Sequence, residues 1–266
     1  MSETDKRLKA LEKKIKTVYT KAYKELKEDA ANVLQKIELN PDMSMAQKMG
    51  LMSKYDRLEK LSQQMADTVY NANTMAQKMI DNEMVNIYGL TYNADAENFG
   101  FDLVDNTFVK KVLKEEVNPF EMINSLHDKT AVKNKMKGEI LTGLLKGESI
   151  PNLARRLKGA SEGYLSNSIR VARTETTRVM NSAKMDVGKR GQDLGFDMWK
   201  RWVATKDDRT RHLHDKLDGQ EVPLDEPFIV DGEELMFPGD ISRGASAGNV
   251  INCRCTMVEF IKEPKK

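Results

Sequence analysis

Apolar residues recur at spacings of three and four along the first forty positions: Leu8, Leu11, Ile15, Val18, Ala22, Leu26, Ala30, Val33 and Ile37. Such spacing places them on one face of a 3.6-residue turn and predicts one long amphipathic helix over residues 5–39. Asn40-Pro41-Asp42 ends it, because the residue before a proline is pushed out of helical backbone. A second stripe runs through Met45, Met49, Met52, Tyr55, Leu58, Leu61, Met65, Val69, Ala72, Met75 and Met79. It predicts a helix over about 44–88, roughly 65 Å long at 1.5 Å per residue. Two such helices make an antiparallel hairpin whose seam needs further helices or a partner to cover it.

Residues 89–100 are polar and read as a loop. Phe108, Val109, Val112 and Leu113 mark a shorter helix, Asn118-Pro119 opens another, and Val132, Met136, Ile140 and Leu144 mark one more. Gly147 to Pro151 reads as a boundary between a helical N-terminal region, 1–147, and a C-terminal module, 148–266. In that module Ile150, Leu153, Ala154 and Leu157 predict a short helix broken at Gly159-Ala160-Ser161. Ile169, Ala172, Thr176, Val179, Ala183 and Val187 then stripe a long helix ending near Gly195.

From there the period changes. Trp199 to Thr205 is strand-like, Phe228-Ile229-Val230 and Glu234 to Phe237 flank the hairpin signal Asp231-Gly232, and Thr256 to Ile261 reads as a closing strand. The predicted fold class is α+β: long helices first, then a small α+β module with a few antiparallel strands.

Composition narrows the function classes. The 43 basic and 41 acidic residues leave a net charge of +2, which argues against a chain given over wholly to nucleic acid. Charged residues make up 32% and aromatic residues 6%, a balance suited to long solvated helices. Two cysteines fit a reducing compartment without a disulfide framework. Met1-Ser2-Glu3-Thr4-Asp5 is not a secretory leader, and the apolar runs are short of a membrane span, so a soluble intracellular product is expected. Between Arg170 and Arg211, eleven Lys or Arg face six Asp or Glu. Arg170, Arg178, Lys184, Lys189 and Arg190 are therefore candidate contacts to DNA phosphates or to an acidic protein surface, beside the plainer reading of a solvated helix face.

Candidate chemistry gathers near the C-terminus. Thr205 and Asp208 have the form of a capping box, predicting a short helix from Lys206 to Leu217 with Gly219 in the left-handed position after it. Thr210, Leu213 and Leu217 share one face of that helix. His214 flanks this face and points inward, whereas His212 lies on the opposite flank. In an extended run Cys253 and Cys255 point the same way and Arg254 away. Their Cα separation of roughly 6.5–7 Å lies at the far edge of disulfide geometry. Two thiols and one imidazole are candidate ligands for a structural zinc, with His212 as a weaker fourth. The pair could equally be buried core. His127 is solitary and reads as a surface or capping residue. A phosphate loop and a His-Glu-x-x-His motif are both missing, and no serine or cysteine has a convincing base and orienting partner.

Five short motifs occur in order: Ala172-Arg173-Thr174-Glu175-Thr176-Thr177-Arg178, Asp208-Arg209-Thr210, Leu217-Asp218-Gly219, Pro238-Gly239-Asp240 and Asn252-Cys253-Arg254-Cys255. Together, over roughly Ser149 to Phe260, they resemble the tailed-phage head-morphogenesis family, the Mu F-like minor head proteins. Many members carry a C-x-x-C after the Asp-x-Arg-Thr element and a histidine before Asn-Cys-Arg-Cys. Here those positions hold Arg211, His214 and Val250, so the resemblance implies a metal-knuckle ancestry with ligands missing.

The resemblance also implies a non-enzymatic minor head protein acting at the portal, in procapsid assembly or in genome retention and delivery. Its expected partners are the portal protein, scaffolding and major capsid proteins, and packaged viral DNA bound without sequence preference. It is expected in the capsid interior near the portal, and in host cytoplasm during assembly, with no membrane required. Arg173, Thr174, Glu175, Asp208, Arg209, Thr210, Asp218, Gly219, Asn252 and Arg254 are its expected architectural residues. The rival readings are a nonspecific DNA-binding module and a metal-dependent nuclease built on Asp208, His212 and His214.

Overall fold

The computed structural model describes residues 2–38, 44, 46, 56–116, 129–146, 148 and 150–262. Five helices come first: α1 (Glu3–Glu38), α2 (Asp56–Phe99), α3 (Asn106–Glu116), α4 (Lys129–Leu145) and α5 (Ile150–Asp193). Short elements follow: β1 (Met198–Val203), α6 (His212–Lys216), β2 (Glu221–Pro223), β3 (Phe228–Val230), β4 (Glu233–Leu235), α7 (Ala247–Val250) and β5 (Thr256–Ile261). The fold is α+β. No helix among the described residues is long and apolar enough to cross a membrane.

The chain forms two compact units. One comprises Leu11–Met79 with Pro119–Ile169, the other Met1–Ala10, Ile80–Asn118 and Arg170–Lys266. The described part of the first unit is helical. Leu11, Ile15, Tyr19 and Ala22 of α1, Met65, Val69, Ala72 and Ala76 of α2, and Val132, Met136 and Ile140 of α4 are buried in it. The buried Tyr19 hydroxyl lies 2.5 Å from Asn73 Oδ1 and 2.8 Å from Ser168 Oγ, which satisfies it inside an apolar seam. Arg156 ties α5 to Glu139 of α4 at 3.1 Å and to Glu148 at 2.5 Å.

The second unit carries the sheet. Strand order is β2-β1-β5, antiparallel throughout, with Trp199 opposite Phe260 and Trp202 opposite Met257. Met198, Lys200 and Trp202 are buried on one face of β1, the period-2 alternation of a half-covered strand. β3 and β4 form a separate hairpin. Asp231 (φ 52°) and Gly232 (φ 78°) are both left-handed there, as a two-residue type I′ turn requires. On α5, a Cβ added at Gly188 would stand 2.6 Å from Leu224 Cδ1, and one at Gly191 2.7 Å from Met198 Sδ. These two glycines let the helix backbone lie close on the residues of β1 and of the turn after β2.

Several expectations change. The stretch 89–100 is helix, not loop: α2 runs through Gly89 to Phe99, with Tyr92 and Ala96 buried. Those two extend the stripe of Ile80, Met84, Ile87 and Tyr88, and their packing outweighs the roughly 1 kcal/mol an interior glycine costs. Gly159-Ala160-Ser161 does not break α5, where Ser161 returns its hydroxyl to Leu157 O at 2.9 Å. Met75 is half exposed, because the buried stripe of α2 passes through Asn73 and Ala76 instead. The capping box at Thr205 is also replaced. Asp207, not Asp208, accepts the amide of Arg209 at 3.0 Å in the turn ahead of the helix, which spans His212–Lys216 alone and has no side-chain cap. Leu213 is exposed rather than buried. Asn118-Pro119, His127 and the methionines 45–52 lie outside the described residues.

Candidate functional site

The Asn-Cys-Arg-Cys run is not itself sheet. It crosses from α7 to β5 as irregular backbone, with Asn252 left-handed (φ 55°). Buried irregular backbone must find partners for its polar groups, and here side chains provide them. Thr174 Oγ1 accepts from Asn252 N at 3.0 Å, and Thr177 Oγ1 donates to Cys253 O at 2.6 Å. Thr205 Oγ1 donates to Arg254 O at 2.6 Å, and Arg211 Nη2 to Ile251 O at 2.5 Å. Asn181 does most. Its amide donates to Thr177 O, Pro238 O and Cys255 O at 2.9–3.2 Å, and its carbonyl accepts from Met257 N at 2.9 Å and Thr256 Oγ1 at 3.0 Å.

Thr174, Thr177 and Asn181 lie three and four apart on α5, so they share one face and form a polar seam beside its apolar stripe. This is the role of the Ala-Arg-Thr-Glu-Thr-Thr-Arg motif: it clasps the chain end. Glu175 and Arg178 are both buried and pair with each other three residues apart. A Cβ built at Gly239 (φ 90°) would stand 3.3 Å from Arg178 Cα, so the Pro-Gly-Asp turn presses on α5 where a side chain would not fit. Asp240 holds that turn, accepting from Met236 N and Ser242 N at 2.8 Å. Asp218 accepts Ala204 N at 2.8 Å, and Gly219 (φ 81°) donates to Trp202 O at 2.9 Å, closing the link into β2. Arg254 grips Asp207 through two guanidinium nitrogens, one of them 2.5 Å from Oδ1, and holds its carboxyl well below the usual range.

Behind the clasp, His214, Cys253 and Cys255 meet in the interior, 1%, 1% and 2% exposed. His214 Nδ1 stands 3.6 Å from Cys253 Sγ and 3.7 Å from Cys255 Sγ. Both thiols are free and line an apolar cluster with Trp202, Phe228, Val230 and Leu235. The Trp202 ring meets the imidazole edge to face at 5.4 Å. A hydrogen bond from Cys253, aided by His214, brings the Cys255 thiol down to about 5, while the same partnership and burial push Cys253 up. A thiol beside an imidazole has the form of a nucleophile, but both groups lie in the interior. The donor set suits a metal better: a tetrahedral ion with bonds of about 2.3 Å to sulfur and 2.05 Å to nitrogen sets each S–N edge at about 3.6 Å.

His212 is exposed and takes no part in this group. Asp208 and Arg209 are exposed, and Thr210 bonds back to Thr205 O. An Asp208–His212–His214 constellation is therefore not assembled. Arg173 is exposed on α5.

The proposed basic contacts fare unequally. Arg178 is buried against Glu175, so it is not a phosphate contact. Lys184 sits 2.8 Å from Asp95, Lys189 2.9 Å from Asp186 and Arg190 3.6 Å from Asp102, while Arg170 is half-buried. Two buried charges were missed by sequence reasoning, because alternation marks which face a strand residue takes but not that the face is apolar. Burial pushes the Lys200 ammonium down to about 7, its Nζ donating to Leu224 O at 2.7 Å. Burial likewise pushes Glu259 up to about 8, its carboxylate 4.0 Å from Lys184 Nζ. Asn181 and Asp207 were missed too. A polar residue inside a helical stripe reads as solvated, and Asp207-Asp208 offers no local signal for choosing between neighbours.

Residues 134–258 match the family described as Phage Mu protein F like protein and take in the clasp and all three interior donors. That segment, just under half of the chain, carries the pattern of the Mu F-like phage head proteins. The minor head protein GP7 of Bacillus phage SPP1 is 26% identical over 261 residues, 94% of this chain and 82% of the relative. The NAD(+)--arginine ADP-ribosyltransferase EFV of Enterococcus faecalis (strain ATCC 700802 / V583) is 28% identical over 178 residues. That alignment covers 65% of this chain and 36% of the enterococcal protein, so the matched segment is about a third of that relative's length. No solved structure matches the chain.

Proposed function

We propose that the protein is a non-enzymatic minor head component of the virion that joins the portal during head assembly and serves procapsid formation or the seating and release of the genome. The observation that carries this reading is the likeness to the SPP1 minor head protein along 94% of the chain, helical N-terminal region included. The site agrees with it. Thr174 and Thr177 of α5 hold the Asn-Cys-Arg-Cys segment, and the Cys255–His214 pair lies in the interior. The part shared with the ADP-ribosyltransferase is then a module that the longer enterococcal protein also carries, and transferase activity does not follow from it. Scaffolding and major capsid proteins are the further partners of this reading, with capsid interior and host cytoplasm as its places.

Co-expression with the portal protein of the same genome tests it. The tagged chain should capture portal in stoichiometric complex, and heads assembled without the chain should lack function while keeping their shell. Absence of portal capture from both purified components and assembling cells overturns the portal reading. Transfer of ADP-ribose to arginine by the purified chain, supplied with NAD, would overturn the non-enzymatic one.

A further inference from the structure

The three interior donors call for more than apolar packing. His214 is almost fully buried, and its Nδ1 faces two sulfurs. An aliphatic side chain would pack against Trp202 without the cost of burying a polar ring. The two thiols approach the same nitrogen at 3.6 and 3.7 Å, and all three donor atoms lie within 4.8 Å of one another. The two sulfur–nitrogen separations match the edges of a tetrahedron around a borderline-soft ion, and both cysteines are free. The scaffold under the donors is rigid: Cys253 and Cys255 are fixed through their carbonyls by Thr177 and Asn181. Among the described residues no fourth His, Cys, Asp or Glu joins the group. Arg211, on the same connection as His214, is engaged with Ile251 O and carries no ligating atom at neutral pH.

We propose that His214, Cys253 and Cys255 bind one zinc ion through Nδ1 and two thiolates, with a single water carried into the interior on the ion as fourth ligand, and that the ion locks α6 to the Asn252–Cys255 segment. Two thiolates neutralise the dication, so the ion enters the apolar interior without net charge. The partner-binding reading above does not enter this argument.

The full-length chain, purified under reducing conditions from zinc-supplemented cells, should carry about one zinc per chain. Its two thiols should react slowly with an aromatic disulfide reagent until a chelator is added. Cobalt(II) added to the stripped chain should give the intense visible bands of a tetrahedral thiolate site. Those bands should vanish in Cys255→Ala and persist in His212→Ala. Should Cys255→Ala not fold, the wild-type chain alone decides. Absence of zinc and of cobalt bands, with thiols equally reactive before and after zinc, overturns the proposal. So does zinc binding that His212→Ala abolishes. Portal capture is measured separately and does not depend on whether zinc is bound.

Discussion

Replacing Asn181 by alanine would strip partners from the carbonyls of Pro238 and Cys255 and from the Met257 amide at once. Each buried group left unpaired costs about 1–3 kcal/mol, so Asn181→Ala should lower the stability of this unit by roughly 3 kcal/mol or more, read as a shift in the urea midpoint. Thr177→Val, which removes one donor to Cys253 O, should cost about 1–2 kcal/mol by the same measure. The two buried charges on the strands, Lys200 and Glu259, have opposite pH signatures. Glu259 titrates near 8 in the folded chain and near 4.3 when unfolded. The folded state therefore holds an extra proton between those values, and stability falls as pH rises through them. Glu259→Gln should gain on the wild type across that window and then hold level. Lys200 titrates near 7 folded and near 10.4 unfolded, so the unfolded chain holds the extra proton and stability rises with pH in between. Lys200→Met should show its largest advantage below pH 7, shrinking toward pH 10. Thermal melts of both variants against wild type from pH 4 to 10 check the signs. Helical periodicity turned His214 inward and His212 out, although the face it took as buried includes Leu213, which is exposed. It could not find Asn181, since a side chain that bonds distant backbone leaves no local pattern.

At the level of elements, glycine separates what was legible from what was not. Gly159 looked like a helix end, yet α5 passes through it and a Cβ there would meet nothing within 4 Å. Gly159→Ala should therefore stabilise the chain by about 0.5–1 kcal/mol, the propensity gain alone. Gly188 lies on the same helix with the opposite constraint, its missing Cβ 2.6 Å from the fully buried Leu224. Gly188→Ala gains the same propensity but overpacks the helix against the chain beyond β2, at about 1–3 kcal/mol, so its net effect should be a lower melting temperature. Differential calorimetry of the two variants compares them directly, and the reverse order would show that α5 does not press on the sheet as described. Stripes and turn chemistry gave β1, β5 and the Asp231-Gly232 hairpin closely, because both signals are local, whereas the three-residue β2 carries no such pattern and was not expected. Helix ends at 89 and 159 were misplaced because tertiary packing, not propensity, decides whether an isolated glycine is bridged. The short helix at His212 was overextended for a related reason: Arg254, from far along the chain, takes Asp207 and fixes the turn ahead of it.

On the scale of the whole molecule, the open question is how far a basic helix bears on DNA. Counted along the sequence, α5 and the segment after it carry a surplus of cations. In the fold several of those cations are paired: Arg178 with Glu175, Lys184 with Asp95, Lys189 with Asp186 and Arg190 with Asp102. Charge patterning along a chain records neither these pairings nor burial, which is why the family was legible from ordered motifs while the phosphate-facing reading was not. Surface pairs such as that of Lys189 are weak, each worth under about 1 kcal/mol, so a polyanion can still draw Lys189 and Arg190 away from their carboxylates. Arg178 cannot follow, because pulling it out would strand Glu175 in the interior. Binding by so few cations has a recognisable salt response, since each neutralised phosphate adds about −0.9 to the slope of log K against log salt. Titration of the full chain onto fluorescent duplex DNA should give a slope no steeper than about −4, with retention gone by roughly 0.2 M salt. Lys189→Glu combined with Arg190→Glu should flatten it further. A slope near −8 that survives this double change would mean that DNA is held by a surface outside α5.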